Sequence, residues 1–311
     1  MADDPTAQSV RIGLSVVVIA LRGREAVVLT RAEDGADALP FGPFDPSRDR
    51  TFERALRDFV TAQTGFSLGF VEQLYTFGDA GRTTPRAATG DDGGRDVSIG
   101  YLALTADAGV PTHDARWAGI FDIFPWEDRR TPSPVSQALA SGLMDWAADD
   151  PRRRSRAQTL FALTPDHRWN EERVLERYEL LYEARLVTEA FRDQRQAPPT
   201  GSPGLTMAAD HRRILATGLG RLRSKLKYRP VLFDLTPETF TLSGLQAAAE
   251  AVSGLTLHKQ NFRRGVERTG LVEATGLMSP ATGGRPAELF RFKGIDPQAG
   301  FAPGLALPAQ R

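Results

Sequence analysis

Between Leu257 and Arg264 the chain reads Leu-His-Lys-Gln-Asn-Phe-Arg-Arg, and here its residue types point most directly to chemistry. On a helix, Phe262 and Val266 fall at i and i+4 and face inward. Gln260 and Arg264 then point the opposite way, with Asn261 and Arg263 on the flanks. Lys259 lies nearer the inward side, but its long stem in the first turn can reach out. Arg and Lys pair with guanine edges or with phosphates, and Gln and Asn pair with adenine. Arg285, in a later Gly-rich loop, adds a cation suited to a phosphate or to the minor groove. From Gly254 to Phe292 there are six Lys or Arg and three Glu, whereas the whole chain balances 39 basic against 39 acidic residues. The nucleic-acid signal is therefore local, and net charge alone conceals it.

The bulk properties set limits. A chain of 311 residues has room for two domains and a connector. Its 41% apolar and 25% charged content is that of a globular protein. The absence of cysteine removes disulfides, thiolate zinc sites and cysteine nucleophiles, and suits a reducing cytoplasm. The acidic start, Met1 to Arg11, does not read as a secretory signal. The longest apolar run, Leu14 to Leu21, is far short of the ~20 residues a membrane helix needs. No membrane partner is expected, and the expected location is cytoplasmic.

The elements that must position these residues follow from patterning. Val10 to Leu21, rich in Val and Ile, reads as a strand buried on both faces, and Glu25 to Thr30 as a second strand. Ala32 to Asp49 is rich in Gly, Pro and Asp and reads as a loop. Thr51 caps a helix to Thr64 with Phe52, Ala55, Leu56, Phe59 and Val60 on its apolar face, and Gly65 ends it. Strands are expected at Phe70 to Phe77 and at Val97 to Leu104, joined by a polar, Gly-rich loop. Trp117, Phe121, Phe124 and Trp126 read as a packed surface closing the first domain. Helices follow at Val135 to Ala148 and, as one long element, at Trp169 to Phe191. The basic cluster Arg152 to Arg156 reads as a solvated helix start, and Arg195 to Leu205 as a linker. Beyond it come a helix over Ala208 to Lys227, a short strand at Val231 to Phe233, helices at Leu242 to Val252 and Leu257 to Thr269, and two final strands around Leu271 to Ala274 and Leu289 to Phe292. That closing order is the order of a winged helix-turn-helix.

The first half, with its strand, strand, Gly-rich loop, helix, Gly and strand, resembles the Nudix fold. In that family the helix carries Arg-Glu-apolar-any-Glu-Glu-any-Gly. Carboxylates at i, i+3 and i+4 share one helix face and can hold the divalent cations that activate water on a diphosphate. Anchored on Gly65, the three Glu positions hold Phe59, Ala62 and Gln63, and the Arg position holds Asp58. Shifted by one residue, they hold Asp58, Thr61 and Ala62. Neither register gives a hard-cation site, so no metal, no catalytic residue and no cofactor is expected.

A second resemblance spans nearly the whole chain. It is carried by Trp169-Asn170-Glu171-Glu172, Leu175 to Ala184, Lys227-Tyr228-Arg229-Pro230, Phe240-Thr241-Leu242, Lys259 to Arg264, Gly284-Arg285-Pro286-Ala287, Gln73 to Asp79 and Val97 to Leu102. These stretches look like the Nudix-related transcriptional regulators of NAD metabolism. The resemblance implies an α+β chain in four parts: a Nudix-like α/β/α sandwich over residues 1–130, a helical connector and dimerisation segment over 131–205, a winged helix-turn-helix over 206–295 and a flexible tail over 296–311. It implies a homodimeric repressor of a double-stranded DNA operator, with ADP-ribose or a related NAD-derived nucleotide as effector. Lys259, Gln260, Asn261, Arg263, Arg264 and Arg285 are the expected DNA contacts. Phe77 and Tyr101 are expected to stack on an adenine, Arg82 to meet a phosphate, and Ser98 to complete the effector site. The region Thr131 to His167 looks longer than in that family, as an added helical insertion. Two rival readings stand: a working hydrolase that recruits Glu53, Asp58 or Glu72, and an interaction scaffold built on the Trp169 to Phe191 segment.

Overall fold

The computed structural model describes residues 10–33, 35–78, 95–112, 114–279 and 286–294. The chain begins with β1 (Val10–Arg22), β2 (Glu25–Glu33), β3 (Ala36–Ala38), β4 (Phe41–Pro43), α1 (Phe52–Thr64), β5 (Phe70–Phe77), β6 (Arg95–Leu104), β7 (Ala115–Gly119) and α2 (Ile120–Ile123). Residues 131–205 hold α3 (Pro134–Ala147), α4 (Pro151–Phe161), α5 (Val174–Glu183) and α6 (Thr188–Arg192). Then come α7 (His211–Leu226), β8 (Thr239–Phe240), α8 (Leu242–Ser253), α9 (Lys259–Thr269), β9 (Val272–Met278) and β10 (Glu288–Phe292).

The seven N-terminal strands form one mixed sheet in the order β3-β2-β1-β6-β5, with β4 on β1 and β7 on β2. β1 sits at its centre, antiparallel to β2 and parallel to β6. Successive side chains of β1 point to opposite faces. Leu14, Val16 and Val18 pack with Leu56 and Val60 of α1, while Val17 and Ile19 pack with Leu215 and Leu219 of α7. The sheet is thus covered on both faces, as an α/β/α sandwich requires. α7, expected as the opening helix of the last domain, also covers the N-terminal sheet: a Cβ on Gly218 would lie 3.0 Å from Val17.

Several expectations need correction. The Ala32 to Asp49 segment contains β3 and β4, three residues each, and β7 adds a further strand to the sheet. The long helix over Trp169 to Phe191 is broken. α5 ends at Glu183, Arg185 adopts φ 56°, and α6 starts at Thr188. Val231 to Phe233 lies in a 3-10 turn, Val231–Leu235, and the strand of that region is β8, paired with β10. The wing is therefore the three-stranded sheet β8-β10-β9. Among the described residues, no helix is long and apolar enough to cross a membrane. The tail expected over 296–311 lies outside the described residues.

Candidate functional site

Two helices and a tight turn build the candidate nucleic-acid face. Thr241 caps α8, accepting the Gly244 N–H at 2.9 Å, and Gly254 closes it in the left-handed region at φ 70°. After the turn, α9 runs from Lys259 to a second left-handed glycine, Gly270. Phe262 and Val266 are each 1% exposed and dock α9 on the core. Lys259, Gln260, Asn261 and Arg264 are exposed, so the structure gathers them on the solvent side of one helix. Arg263 is only partly exposed. Its guanidinium donates to the Ser243 hydroxyl at 3.4 Å, which ties α9 to the first turn of α8. The exposed residue Ser243 went unnoticed in the sequence; its place two residues after the Thr241 cap is the available signal. Arg285 lies outside the described residues.

The metal positions of the early helix are filled by other contacts. The Phe59 ring lies against Gly42, where a Cβ would come within 3.1 Å of the ring. Gln63 donates its side-chain amide to the Phe41 carbonyl at 2.8 Å. That bond links α1 directly to β4. Ala62 is exposed. The three acids that a hydrolase reading would recruit are apart and engaged: Glu53 with Arg57 at 2.8 Å, Asp58 with Arg54 at 3.9 Å, and Glu72 with Lys225 of α7 at 2.5 Å. Among the described residues, no three of His, Asp and Glu stand close enough together to hold a metal ion.

Of the residues expected to hold an effector, the structure brings two together. Phe77 and Ser98 face each other in register across β5 and β6. Phe77 is 2% exposed and packs in the cluster shared with α7. Its ring crowds Gly100, contacts Tyr75 edge-on at 5.3 Å and lies under the Arg213 guanidinium at 5.8 Å. Ser15, on the neighbouring strand opposite Gly100, has a buried hydroxyl with no protein partner among the described residues. Tyr101 is not part of this group. It is 5% exposed in the other cluster, on the α1 face, where burial and then the charge of Glu53 push its phenol pKa up. Phe77 and Tyr101 cannot clamp one base between them, because the sheet separates them. Arg82 lies outside the described residues.

Comparison with known proteins fits this geometry. Residues 232–292 match the model described as the NrtR DNA-binding winged helix domain. A curated relative, the ADPR responsive transcriptional repressor NtrR of Acinetobacter baylyi, is 38% identical over 104 residues. That match covers 33% of this chain and 41% of the relative, less than half of either. The crystal structure of Shewanella oneidensis NrtR complexed with a 27mer DNA superposes with a TM-score of 0.52 at 20% identity, over 91% of this chain and 93% of that one. A MutT/nudix family protein from Enterococcus faecalis gives a TM-score of 0.53 at 13% identity, over 94% and 90%. Residues 232–292 are accordingly similar to the NrtR DNA-binding winged helix domain, and the fold of the chain is that of these NrtR and MutT/nudix-family structures.

Proposed function

We propose that this chain is a DNA-binding transcriptional repressor whose N-terminal Nudix-like domain binds ADP-ribose or a related NAD-derived nucleotide and, without hydrolysing it, alters the hold on an operator. The observation that carries the reading is the two-sided build of α9, with Phe262 and Val266 buried and Lys259, Gln260, Asn261 and Arg264 turned to solvent. Arg263 and Arg285 complete the proposed DNA contacts. The effector is assigned to the α7 face of the N-terminal sheet, beside Phe77 and Ser98, with Arg82 as its phosphate partner. Tyr101 supports that site only from across the sheet.

The protein works as a homodimer in the cytoplasm in this reading, so that two copies of α9 enter successive major grooves ~34 Å apart. The proposed units are residues 1–130 for the effector, 131–205 for the connector and dimer contact, 206–295 for DNA, and 296–311 as a tail. The filling of the metal positions by Phe59 and Gln63 favours a regulator over a hydrolase. Titration of the chain onto the DNA upstream of its own gene at rising salt tests the reading. Affinity should fall linearly on a log–log plot. Salt-independent affinity, or none, would leave the scaffold reading in its place.

A further inference from the structure

We infer that residues 127–130 and the turn between α8 and α9 form a joint through which the N-terminal domain sets the placement of α9. The inference rests on the functional reading above and names the route its regulation takes.

The turn is fastened to the N-terminal unit through the main chain. Arg129 donates its backbone N–H to the Gly254 carbonyl at 2.7 Å, and the Thr256 hydroxyl donates to the Arg130 carbonyl at 3.4 Å. Gly254 is left-handed, and a Cβ there would overlap the Glu127 carbonyl oxygen. No larger residue lets the turn come so close. The carboxylate of Glu127 is fully buried and locks the joint from inside. Arg177 of α5 grips both its oxygens at 2.6 and 2.8 Å, and Arg223 of α7 donates to it at 2.5 Å. Arg223 also donates to the Val252 carbonyl in the last turn of α8, at 2.9 Å. One carboxylate therefore joins α5, α7 and α8. Burial pushes the Glu127 pKa up, but the two guanidiniums hold it below its ordinary value.

The β1–β2 turn reaches the same place. Arg24 approaches Glu250 at 3.6 Å, and the other oxygen of Glu250 accepts the Leu257 N–H at 2.9 Å, just ahead of α9. Arg130 closes the circle by donating to the Arg24 carbonyl at 3.1 Å and to Glu25 at 3.0 Å. Lys259 and Gln260 start only a few residues after Gly254, so a shift of residues 127–130 moves the residues aimed at DNA. Buried ion pairs are often no more stabilising than apolar packing of the same volume. What this one contributes is a fixed arrangement of three helices around the turn.

The chain contains no cysteine, so Asp58→Cys on α1 and Glu267→Cys on α9, both exposed positions, can be spin-labelled in the full-length protein. Pulsed dipolar spectroscopy should give one narrow distance between them. Arg24→Ala with Thr256→Val removes two solvent-side ties and should broaden the distribution or shift it by more than its own width, with little change in melting temperature. Glu127→Gln should do so more strongly. An unchanged distribution in both variants overturns the joint. Failure of the functional reading shows separately, as DNA affinity of the unsubstituted chain that ADP-ribose does not alter. In that case the distance measurement still decides the joint on its own.

Discussion

α1 and α9 are built alike and do opposite things with their outer faces. Both end on a left-handed glycine, Gly65 and Gly270, and both bury an i, i+4 apolar pair, Leu56 with Val60 and Phe262 with Val266. On α1 the outward charges pair with each other, Glu53 with Arg57 and Arg54 with Asp58, each at i, i+4. On α9, Lys259, Arg264 and Arg268 form no ion pair among the described residues. Cations that the fold leaves unneutralised are available to a polyanion, whereas a helix that satisfies itself offers nothing to a metal or a substrate. The comparison teaches that the shared inward face makes the helix and the outward face makes the function.

The comparison can be broken from either side. Phe262→Ala removes the larger anchor of α9 and should destabilise the protein by about 3–5 kcal/mol, read by chemical denaturation. A loss below about 1 kcal/mol would mean that α9 is not held by this face. Arg263→Ala with Arg264→Ala should weaken DNA binding by about 100-fold or more at fixed salt, since each contact contributes roughly 1–3 kcal/mol, while circular dichroism stays unchanged. Gln63→Ala strips the donor from the Phe41 carbonyl and should cost about 1–3 kcal/mol. Gln63→Glu, which returns one carboxylate to the metal face, should still give no magnesium-dependent release of AMP from ADP-ribose. Lys259→Ala is the mildest change, lowering DNA affinity on all sequences alike and reducing the salt slope by about one.

Acid tests the buried carboxylate behind the turn that leads into α9. The pKa of Glu127 is lowered in the folded chain, so its contribution to stability is complete above the ordinary carboxyl value of 4.5 and is lost as pH falls through that value toward the folded one. Denaturation midpoints should drop over that window, and Glu127→Gln should flatten the drop.

Helices with explicit ends were legible in the sequence. Thr51 and Gly65 bracket α1 as its sequence pattern marks, the Thr51 hydroxyl accepting the Arg54 N–H and Gly65 closing the helix in the left-handed region. The inward and outward residues of α9 were legible too, because Phe262 and Val266 set the helical phase. What stayed hidden depended on partners distant in sequence. The arginines of α7 look like a basic face, yet Arg212 and Arg223 are fully buried on Glu189 and Glu127, the latter 96 residues away. The run Val231 to Phe233 has strand-like residues, but its side chains are buried against the core from a 3-10 turn. The placement of Phe77 turned on a register shift between Gln73 and Tyr75. Without that irregularity Phe77 would sit opposite Val97 and share a face with Tyr101, as expected for a stacking pair. A single extra residue in an edge strand therefore decided which aromatic faces the α7 side.

The most direct test of the central claim is the affinity of the full-length chain for its upstream DNA, followed by fluorescence anisotropy with and without saturating ADP-ribose in the presence of magnesium. The account predicts a change of about 5- to 150-fold in dissociation constant, the usual range of coupling between two sites, with the nucleotide recovered intact. An unchanged constant, or conversion of the ADP-ribose to AMP, would contradict it.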